Sequence, residues 1–390
     1  MTGVFKVGLL GGGLQGVEAA SLARWAGWSS TLADARPAPP AAALADRFRP
    51  GTLANPADLD RVFGDCDLVV PACEDPATWE LLAAWAGRGG APPVAFDRPA
   101  WRLSRDKAAS KRLFENLGLP TPLDYPRAQF PLVAKPVAAS GSRGVRLLEG
   151  PADLANFFPE GPGAGWVLEE YCPGPSYSLE VTGRPGAYRA WAVTQLAMDQ
   201  AYDCRQVVFP ADLDRAAEEE LRALSLRLAE GLQLTGLMDV EVILTPRGFR
   251  ILEIDARLPS QTPSAVYWAT GENLLARLAE LFGGPLQAER PLLNRPRAVI
   301  YEHIAATARG LEPVGEHRLS LAGPLRLEEN FFGADLALTD QGEARFGWAA
   351  TLIISGENLA EVRARRRETL ARLGQSYPLS PLFFEPGAGA

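Results

Sequence analysis

The chain has 390 residues, too many for one ordinary hydrophobic core, so we expect two or three domains. Its hydrophobic content of 47% and charged content of 22% are typical of a soluble globular protein, and its net charge of -8 argues against nucleic acid as the main partner. Four cysteines without C-x-x-C spacing indicate neither a disulfide framework nor a zinc site, and the lack of a signal peptide or an apolar run of about 20 residues favours a cytoplasmic protein with no membrane partner.

Strand and helix signals alternate through the first 95 residues. We expect three short apolar strands at 4–10, 30–33 and 67–71, and a helix at 15–25. Alternation of this kind predicts a parallel, doubly wound α/β unit.

A glycine-rich turn joins the first strand to the first helix. Gly11-x-Gly13-x-x-Gly16 is followed by Asp34 at the end of the next strand, which matches the dinucleotide-binding fingerprint. In isolation this turn favours an oxidoreductase that transfers a hydride. The fingerprint does not explain the lysines and the acidic hairpin farther along the chain, so the oxidoreductase is the alternative and not the main interpretation.

Two lysines follow in the next elements. Lys107 lies in a segment whose apolar positions, from Leu103 to Leu117, fit a helix. Lys135 closes the short strand PLVAKP, and the small residues at 138–145 after it can bring backbone amides close to a phosphate. Together these elements offer two cations and a flexible cover for a phosphate group.

The stretch MDVEVILTPRGFRILEID at 238–255 predicts an antiparallel hairpin, because two apolar, β-branched runs flank a turn. Side chains two apart on a strand share a face, so Glu253, Asp255 and Arg257 form one row, and Glu241 can lie opposite them. Carboxylate oxygens are preferred magnesium ligands, and an arginine beside them suits phosphoryl charge. A solvated hairpin edge with charges on its outer face is the structural alternative.

Two amphipathic helices are expected at 216–232 and 272–282, and 286–390 predicts further short strands with one helix. That helix carries an arginine run at 363–367, which we expect to be a solvated face. His303 is interpreted as a packed structural residue and not as a general base.

The order of these motifs resembles the ATP-grasp superfamily, with 168–172 as the hinge that holds adenine and ribose. The resemblance implies an α/β ATP-grasp fold. It would comprise an N-terminal doubly wound parallel-sheet (Rossmann-like) domain at 1–98, a small central α+β domain at 99–172 and a larger C-terminal α+β domain with the metal site at 173–390. Asp255 departs from the usual Asn of the last motif, but a carboxylate is at least as good a magnesium ligand.

The superfamily resemblance implies ATP and Mg²⁺, with two ions expected. Arg257 and Lys135 are the implied catalytic residues. The implied metal ligands are Glu241, Glu253 and Asp255. The implied ATP contacts are Gly13, Lys107, Lys135, Ser142, Glu169, Glu170, Tyr171 and Cys172.

Longer strings, among them LSRDKAASK, GLMDVEVI and LEIDARLPSQTPSAVYW, are similar to the 3-methylornithine:L-lysine ligases of pyrrolysine biosynthesis. That family joins the carboxylate of 3-methyl-D-ornithine to the side-chain amine of L-lysine, using ATP. An ATP-grasp ligase for other amino acids is the nearest alternative. A noncatalytic nucleotide-binding regulator is disfavoured because no metal ligand is lost, and the oligomeric state stays open.

The ligase resemblance also implies a set of substrate contacts. Glu180 is expected on the ornithine side and Glu74 on the lysine side, although each has the alternative of an ordinary surface carboxylate. Asp203 or Glu74 is expected to take the proton of the amine, whose unperturbed pKa is about 10.4. The full set of expected substrate contacts is Leu14, Gln15, Glu74, Ser178, Leu179, Glu180, Glu241, Arg257, Pro259, Ser260, Gln261, Thr262, Pro263, Ser264 and Ser320.

Overall fold

The structure is a computed structural model that describes residues 3–138, 141–286 and 297–384. Within these ranges the chain forms 17 β-strands and 11 α-helices. Part of the expected small-residue loop, at 139–140, and the C-terminal tail lie outside the described residues.

The first unit is a four-stranded parallel sheet with the strand order β3-β2-β1-β4. The expected parallel unit is therefore confirmed, and β3 is a strand that the sequence pattern had not indicated. The strands are β1 (Lys6–Leu10), β2 (Ser29–Asp34), β3 (Arg47–Pro50) and β4 (Leu68–Pro71); the helices are α1 (Leu14–Trp25), α2 (Pro56–Phe63) and α3 (Pro76–Ala86).

Two short helices, α4 (Arg98–Ser104) and α5 (Lys107–Asn116), replace the single helix expected around Lys107. The break falls at Asp106, whose side chain accepts a hydrogen bond of 2.9 Å from the Ala109 amide and so caps the start of α5. The expectation of one helix was wrong because the apolar spacing continues across this cap. Lys107 becomes the first residue of α5 as a result.

A small three-stranded antiparallel sheet follows, in the order β6-β5-β7. Lys135 lies near the end of its central strand, as expected. The elements are β5 (Leu132–Pro136), β6 (Arg146–Leu148), α6 (Pro151–Phe157) and β7 (Trp166–Glu170).

The rest of the chain builds one ten-stranded sheet in the order β12-β11-β8-β9-β10-β13-β17-β16-β15, with β14 paired to β13. All its pairings are antiparallel. Its strands are β8 (Ser176–Arg184), β9 (Ala187–Met198), β10 (Cys204–Phe209), β11 (Gly236–Thr245), β12 (Gly248–Asp255), β13 (Ala298–Thr307), β14 (Gly310–Pro313), β15 (Arg326–Glu329), β16 (Leu336–Thr339) and β17 (Ala349–Gly356). Its helices are α7 (Arg215–Leu232), α8 (Thr262–Thr270), α9 (Leu274–Leu281), α10 (Glu316–Ser320) and α11 (Leu359–Gly374).

Helix α1 of the parallel unit packs into the same hydrophobic core as α8 and α9. Leu22 on α1 is fully buried in this core with Val266 and Leu274. The shared core fixes the glycine-rich turn relative to the end of the β11–β12 hairpin. The domain limits at 98 and 172 stay predictions.

The arginine run on α11 is only partly solvated. Arg366 makes two hydrogen bonds of 2.6 Å to the buried carboxylate of Glu302, and Arg365 pairs with Asp335 at 2.8 Å. The expectation of a solvated face was wrong for these two residues, because α11 packs on β13 and β17, where it meets Glu302 of β13 and Asp335, the residue before β16. No helix of the described chain is long and apolar enough to span a bilayer.

Candidate active site

The expected hairpin forms from β11 and β12, and its register places the acidic side chains in two rows. Glu241 pairs with Glu253 across the strands, and on the other side of β11 it pairs with Ser178 of β8. We call this set the Glu241 row. Asp239 lies two residues before Glu241 on β11. It pairs with Glu180 of β8 and with Asp255 of β12, and we call these three residues the Asp239 row. Because the two rows are two residues apart on each strand, all these side chains lie on one face of the sheet.

A cleft between the small sheet and this hairpin contains most of the expected ATP contacts. It measures about 830 Å³, counted with the solvent at its mouth. One part of its wall is apolar, with Val133, Ile243 and Leu252. We call it the lysine cleft; its expected residues are Lys107, Lys135, Ser142, Glu169, Glu170, Tyr171 and Cys172.

A second cavity of about 670 Å³, the acidic cavity, adjoins the lysine cleft. Glu241 and Glu253 line both cavities, whereas Asp239 and Asp255 line the acidic cavity only. Six acidic side chains face Arg257, which is the one basic residue lining this cavity in the described part of the chain. The acidic residues are Asp203, Asp239, Glu241, Glu253, Asp255 and Glu316.

Burial, together with this excess of negative charge, raises the pKa of several carboxyl groups. Burial, with the nearby carboxylates of Glu253 and Glu316, raises the pKa of Glu241 to about 7. Burial raises the pKa of Asp255 to about 8, although Arg257 opposes the shift. A cation that binds among these buried carboxyl groups stabilises their charged form.

Lys107 connects the lysine cleft to the hairpin. Its ammonium group forms an ion pair with the Glu253 carboxylate. Burial alone would lower the pKa of Lys107, but Glu253 and the carboxylates of Asp255 and Glu241 raise it. Lys107 is therefore a fixed positive charge at the edge where the two cavities meet.

The hinge carboxylate Glu169 lies between two lysines. One of its oxygens pairs with Lys135, and the other lies 3.1 Å from the ammonium group of Lys111. Burial would raise the pKa of Glu169, but the two lysines lower it below its ordinary value. Glu169 therefore orients Lys135 toward the cleft, a role that the expected direct contact with ATP did not include. Lys111 lies one turn after Lys107 on α5 and was not singled out from the sequence.

Arg257 is anchored by carboxylates from two units of the fold. Its guanidinium group lies 2.5 Å from Asp255 and 2.7 Å from Glu74, and Glu74 also accepts a hydrogen bond of 2.8 Å from Gln15. Glu74 thus binds Arg257 directly and Gln15 binds Glu74, and neither of these two expected substrate contacts lines a cavity. Their roles as substrate contacts stay predictions.

The loop after Arg257 lines the acidic cavity with Pro259, Ser260, Gln261 and Thr262, as expected. Gln261 has a positive φ of 73°, an uncommon backbone conformation for a residue with a side chain. Its side-chain amide and the Ser260 hydroxyl donate hydrogen bonds of 2.5 and 2.8 Å to Glu316. Glu316 therefore holds this loop from the side of α10.

Glu18 holds the same loop from the opposite side. It lies on α1, is 1% exposed, and its carboxylate accepts a hydrogen bond from the Ser264 amide in the first turn of α8. Burial raises the pKa of Glu18 to about 8. Sequence patterns did not identify Glu18 or Glu316, since each meets the loop from a distant part of the chain.

Several expected contacts lie away from both cavities. Gly13 begins α1 beside Arg36, and Leu14 packs against the shared core. The side chain of Leu179 is fully buried in the core on the opposite face of β8, because it alternates with Ser178 and Glu180. Pro263 and Ser264 begin α8 behind the loop, and the Ser320 hydroxyl donates to the His317 carbonyl at 2.7 Å. Neither cavity is lined by these six residues, nor by Ser178 or Glu180 of β8.

The dinucleotide interpretation of the glycine-rich turn is disfavoured by Asp34. Its carboxylate accepts hydrogen bonds of 2.6 Å from the Gly12 amide and 2.8 Å from the Arg36 amide, and it also pairs with the Arg36 side chain. A dinucleotide-binding enzyme needs this acidic group for the ribose hydroxyls. Here its hydrogen-bonding capacity is used within the protein.

The carboxylates expected to bind metal are partly engaged with basic side chains, since Lys107 pairs with Glu253 and Arg257 with Asp255. Among residues 3–138, 141–286 and 297–384, no three Asp, Glu, His or Cys side chains are arranged to hold a metal ion. The donor chemistry nevertheless fits magnesium, because the Glu241 row offers hard carboxylate oxygens where the acidic cavity adjoins the lysine cleft. The metal ligands remain a prediction.

Ser142 and His303 are each held by a hydrogen bond. The Ser142 hydroxyl donates a hydrogen bond of 2.7 Å to the Tyr202 carbonyl. This bond fixes Ser142 in the lining of the lysine cleft. His303 is buried and bonds to Thr351 at 2.8 Å, and burial lowers its pKa to about 3, which agrees with a packed residue.

Comparison with known proteins gives a consistent result. Residues 104–261 match the family model of an ATP-grasp domain. A protein of Methanosarcina mazei named 3-methyl-D-ornithine–L-lysine ligase is 36% identical over 94% of each chain.

Solved structures extend the likeness to the fold. The N5-carboxyaminoimidazole ribonucleotide synthetase of Thermus thermophilus has a TM-score of 0.68 at 20% identity, covering 96% of this chain and 99% of its own. The biotin carboxylase domain of the Hydrogenobacter thermophilus 2-oxoglutarate carboxylase, bound to MgADP, has a TM-score of 0.72 at 16% identity, covering 97% and 91%. These likenesses confirm the fold that was expected from the sequence.

Proposed function

The chain belongs to the 3-methyl-D-ornithine–L-lysine ligase family of ATP-grasp enzymes, and from that premise we propose how its own residues perform the ligation. The reaction joins the carboxylate of 3-methyl-D-ornithine to the side-chain amine of L-lysine with conversion of ATP to ADP and phosphate. A carboxylate is a poor electrophile because its charge is delocalised and it lacks a good leaving group. ATP removes both obstacles by phosphorylating it.

In the first step a carboxylate oxygen of the acid attacks the γ-phosphorus of ATP, the bond to the bridging oxygen breaks, and ADP leaves. The protein positions the reacting atoms and neutralises charge. Lys107 and Lys135 line the lysine cleft and bind the phosphates, and Ser142 covers them. Magnesium, with two ions expected at Glu241, Glu253 and Asp255, would supply charge neutralisation at the phosphate oxygens. Arg257 stabilises charge on the transferred group.

In the second step the lysine amine attacks the acyl carbon of the acyl phosphate, the carbon–oxygen bond breaks, and phosphate leaves. The amine must lose a proton. Of the two candidate bases, Asp203 lines the acidic cavity and burial raises its pKa, although His317 pairs with its Oδ2. Glu74 lines neither cavity and binds Arg257 and Gln15. We therefore assign the proton to Asp203.

One observation carries the proposal: the lysine cleft and the acidic cavity share Glu241 and Glu253. A nucleotide bound by lysines then ends at the entrance to a cavity whose lining includes six acidic side chains and one arginine. Two substrates that each carry two ammonium groups fit such a cavity, and an anionic or neutral acid does not. We also propose a cytoplasmic location, for which the four free cysteines are suitable.

The test is ADP release from the purified protein with magnesium, ATP and pairs of amino acids. The proposal is supported if ADP release requires L-lysine together with either D-ornithine or its 3-methyl derivative. Mass spectrometry should then identify the amide product. Product formation with other amino acids only would support the alternative, a ligase of different specificity. A change in NADH absorbance without ATP turnover would instead support the oxidoreductase.

A further inference from the structure

Amide formation at the acidic cavity releases a proton that no product keeps. The lysine side chain enters as an ammonium group with three N–H bonds, and the amide nitrogen retains one of them. Of the two protons that leave, the departing phosphate takes one and becomes hydrogen phosphate. The other proton must reach the solvent in every turnover, because Asp203, its acceptor in the proposed function, has to be a carboxylate again before the next amine arrives.

Asp203 is poorly placed to pass this proton to bulk water by itself. Its side chain is 9% exposed, and it lines the acidic cavity, which the substrates would fill. His317 lines neither cavity, and its side chain is 40% exposed. Nδ1 of His317 lies 2.9 Å from Oδ2 of Asp203. The imidazole ring therefore connects a carboxylate of the cavity wall to the solvent.

The protein holds this contact in a fixed geometry. Oδ2 of Asp203 also accepts a hydrogen bond of 2.9 Å from the backbone amide of His317, in the first turn of α10. The turn before Asp203 is fixed by Asp199, whose carboxylate accepts hydrogen bonds of 2.7 Å from the Ala201 amide and 3.0 Å from the Asp203 amide. Gly315 permits the close approach, since a Cβ at that position would overlap with the Asp203 carboxylate.

Asp203 is also the carboxyl group beside the ring that suits proton exchange. Glu316 precedes His317 on α10, but its carboxylate accepts hydrogen bonds from Ser260 and Gln261. Burial raises the pKa of Asp203, although His317 opposes the shift. A raised pKa makes Asp203 a better acceptor for the amine proton, and the contact with His317 gives that proton its next acceptor.

We propose that His317 acts through Asp203 and carries the proton of the lysine amine from the acidic cavity to the solvent. This inference rests on the proposed function and extends its second step. A ring whose hydrogen is on Nε2 accepts the proton of the Asp203 carboxyl group at Nδ1 and becomes imidazolium. Water then takes the Nε2 proton, and exchange with water at the exposed ring restores the starting tautomer. Asp203 is left as a carboxylate.

The experiment compares two nucleophiles, L-lysine and hydroxylamine, at pH 8 with 3-methyl-D-ornithine, ATP and magnesium. L-Lysine must lose a proton before it attacks. Hydroxylamine is already uncharged and converts the acyl phosphate to a hydroxamate, and the proton that it loses goes to the phosphate. The variant His317→Asn has a side-chain amide that can still bond to Asp203 but cannot carry a proton. We expect it to lower kcat with L-lysine by at least about 10-fold, with the KM for L-lysine unchanged, and to leave the rate of hydroxamate formation at the wild-type value.

A second variant, His317→Ala, tests whether an external base replaces the ring. Its kcat with L-lysine should rise with the concentration of added imidazole, whereas the wild type should not respond. Arg318→Gln is the matched control, because Arg318 follows His317 on α10 and its guanidinium group bonds to the Gly347 carbonyl instead of to Asp203. This control should resemble the wild type with both nucleophiles.

Equal losses with L-lysine and hydroxylamine in His317→Asn would overturn the relay in favour of a structural role. A wild-type kcat with L-lysine in that variant, or no response of His317→Ala to imidazole, would overturn it as well. If the wild type forms neither amide nor hydroxamate, the proposed function itself is refuted, and the relay with it.

Discussion

Lys107 and Glu253, which are 146 positions apart in the sequence, form an ion pair at the edge shared by the lysine cleft and the acidic cavity. The pair brings the expected phosphate-binding lysine and the expected metal ligand into direct contact. Mg-ATP carries negative phosphate oxygens and a positive metal ion. On binding, the phosphate oxygens would pair with Lys107 and the metal ion with Glu253, so two ionic contacts would replace one.

We expect Glu253→Gln to lower kcat by at least about 100-fold, because it removes a charged metal ligand that stabilises transferring phosphoryl charge. The fold should persist, since relief of the repulsion with Glu241 offsets part of the loss of the ion pair with Lys107. ADP release and the thermal unfolding midpoint measure the two effects. Glu219→Gln, at an exposed position on α7, is the control with normal turnover. Full activity in Glu253→Gln would mean that the metal assignment is wrong.

Lys135→Ala should weaken ATP binding by about 10- to 100-fold, since a charge-assisted hydrogen bond to phosphate is lost. Isothermal titration with a nonhydrolysable ATP analogue measures the Kd. Lys6→Ala removes an exposed lysine and should leave the Kd unchanged. The phosphate role of Lys135 is contradicted by a Kd equal to that of the wild type.

Lys111→Met should reduce the free energy of unfolding by about 3 kcal/mol, because it takes one partner from the buried carboxylate of Glu169. Urea unfolding measures this change. The exposed Lys6→Met variant is the comparison and should change stability by less than about 0.5 kcal/mol. A loss below 1 kcal/mol in Lys111→Met would show that Lys135 alone suffices to hold Glu169.

Stability should fall as the pH rises because of Glu18. Burial raises its pKa from an ordinary 4.5 to about 8, so between these values the folded chain keeps a proton that the unfolded chain releases. The contribution of Glu18 to the free energy of unfolding therefore decreases from pH 4.5 to pH 8. Above pH 8 this contribution stays constant.

Glu18→Gln keeps an acceptor for the Ser264 amide but cannot ionise. The variant should exceed the wild type in stability at pH 8.5 by at least about 1 kcal/mol, with little difference at pH 5. Urea unfolding at both pH values, with Glu219→Gln as an exposed control, tests this. Identical pH slopes for Glu18→Gln and the wild type would be inconsistent with a buried, protonated Glu18.

The hairpin was predictable because its information is local. A turn between two β-branched runs fixes both strands, and a period of two keeps Glu253 and Asp255 on one face. The pairing of Glu241 with Glu253 also needs a register shift between Glu241 and Val242, which the sequence pattern does not contain. The same period places Asp239 beside Glu241, and a helical period places Lys111 beside Lys107, so both residues were within reach of the sequence patterns.

Other parts of the site depend on contacts that no local pattern contains. Glu316 lies on a five-residue helix and meets Gln261 across 55 positions, and Glu18 meets Ser264 across 246. The ten-stranded sheet likewise depends on the pairing of β10 with β13, whose strands lie far apart in the chain. The choice of such partners is a property of the whole folded chain.

The hydrogen-bonded chain from Gln15 through Glu74 to Arg257 limits how short an active fragment of the enzyme can be. The segment that matches the ATP-grasp model, 104–261, contains the arginine and Asp255 but lacks Glu74 and Gln15. It also lacks Glu18 and Glu316, which hold the adjoining loop. A recombinant fragment with those limits would keep the phosphate-binding lysines and the hairpin carboxylates. It would lose the alignment of Arg257, so competence for amide synthesis belongs to the intact polypeptide.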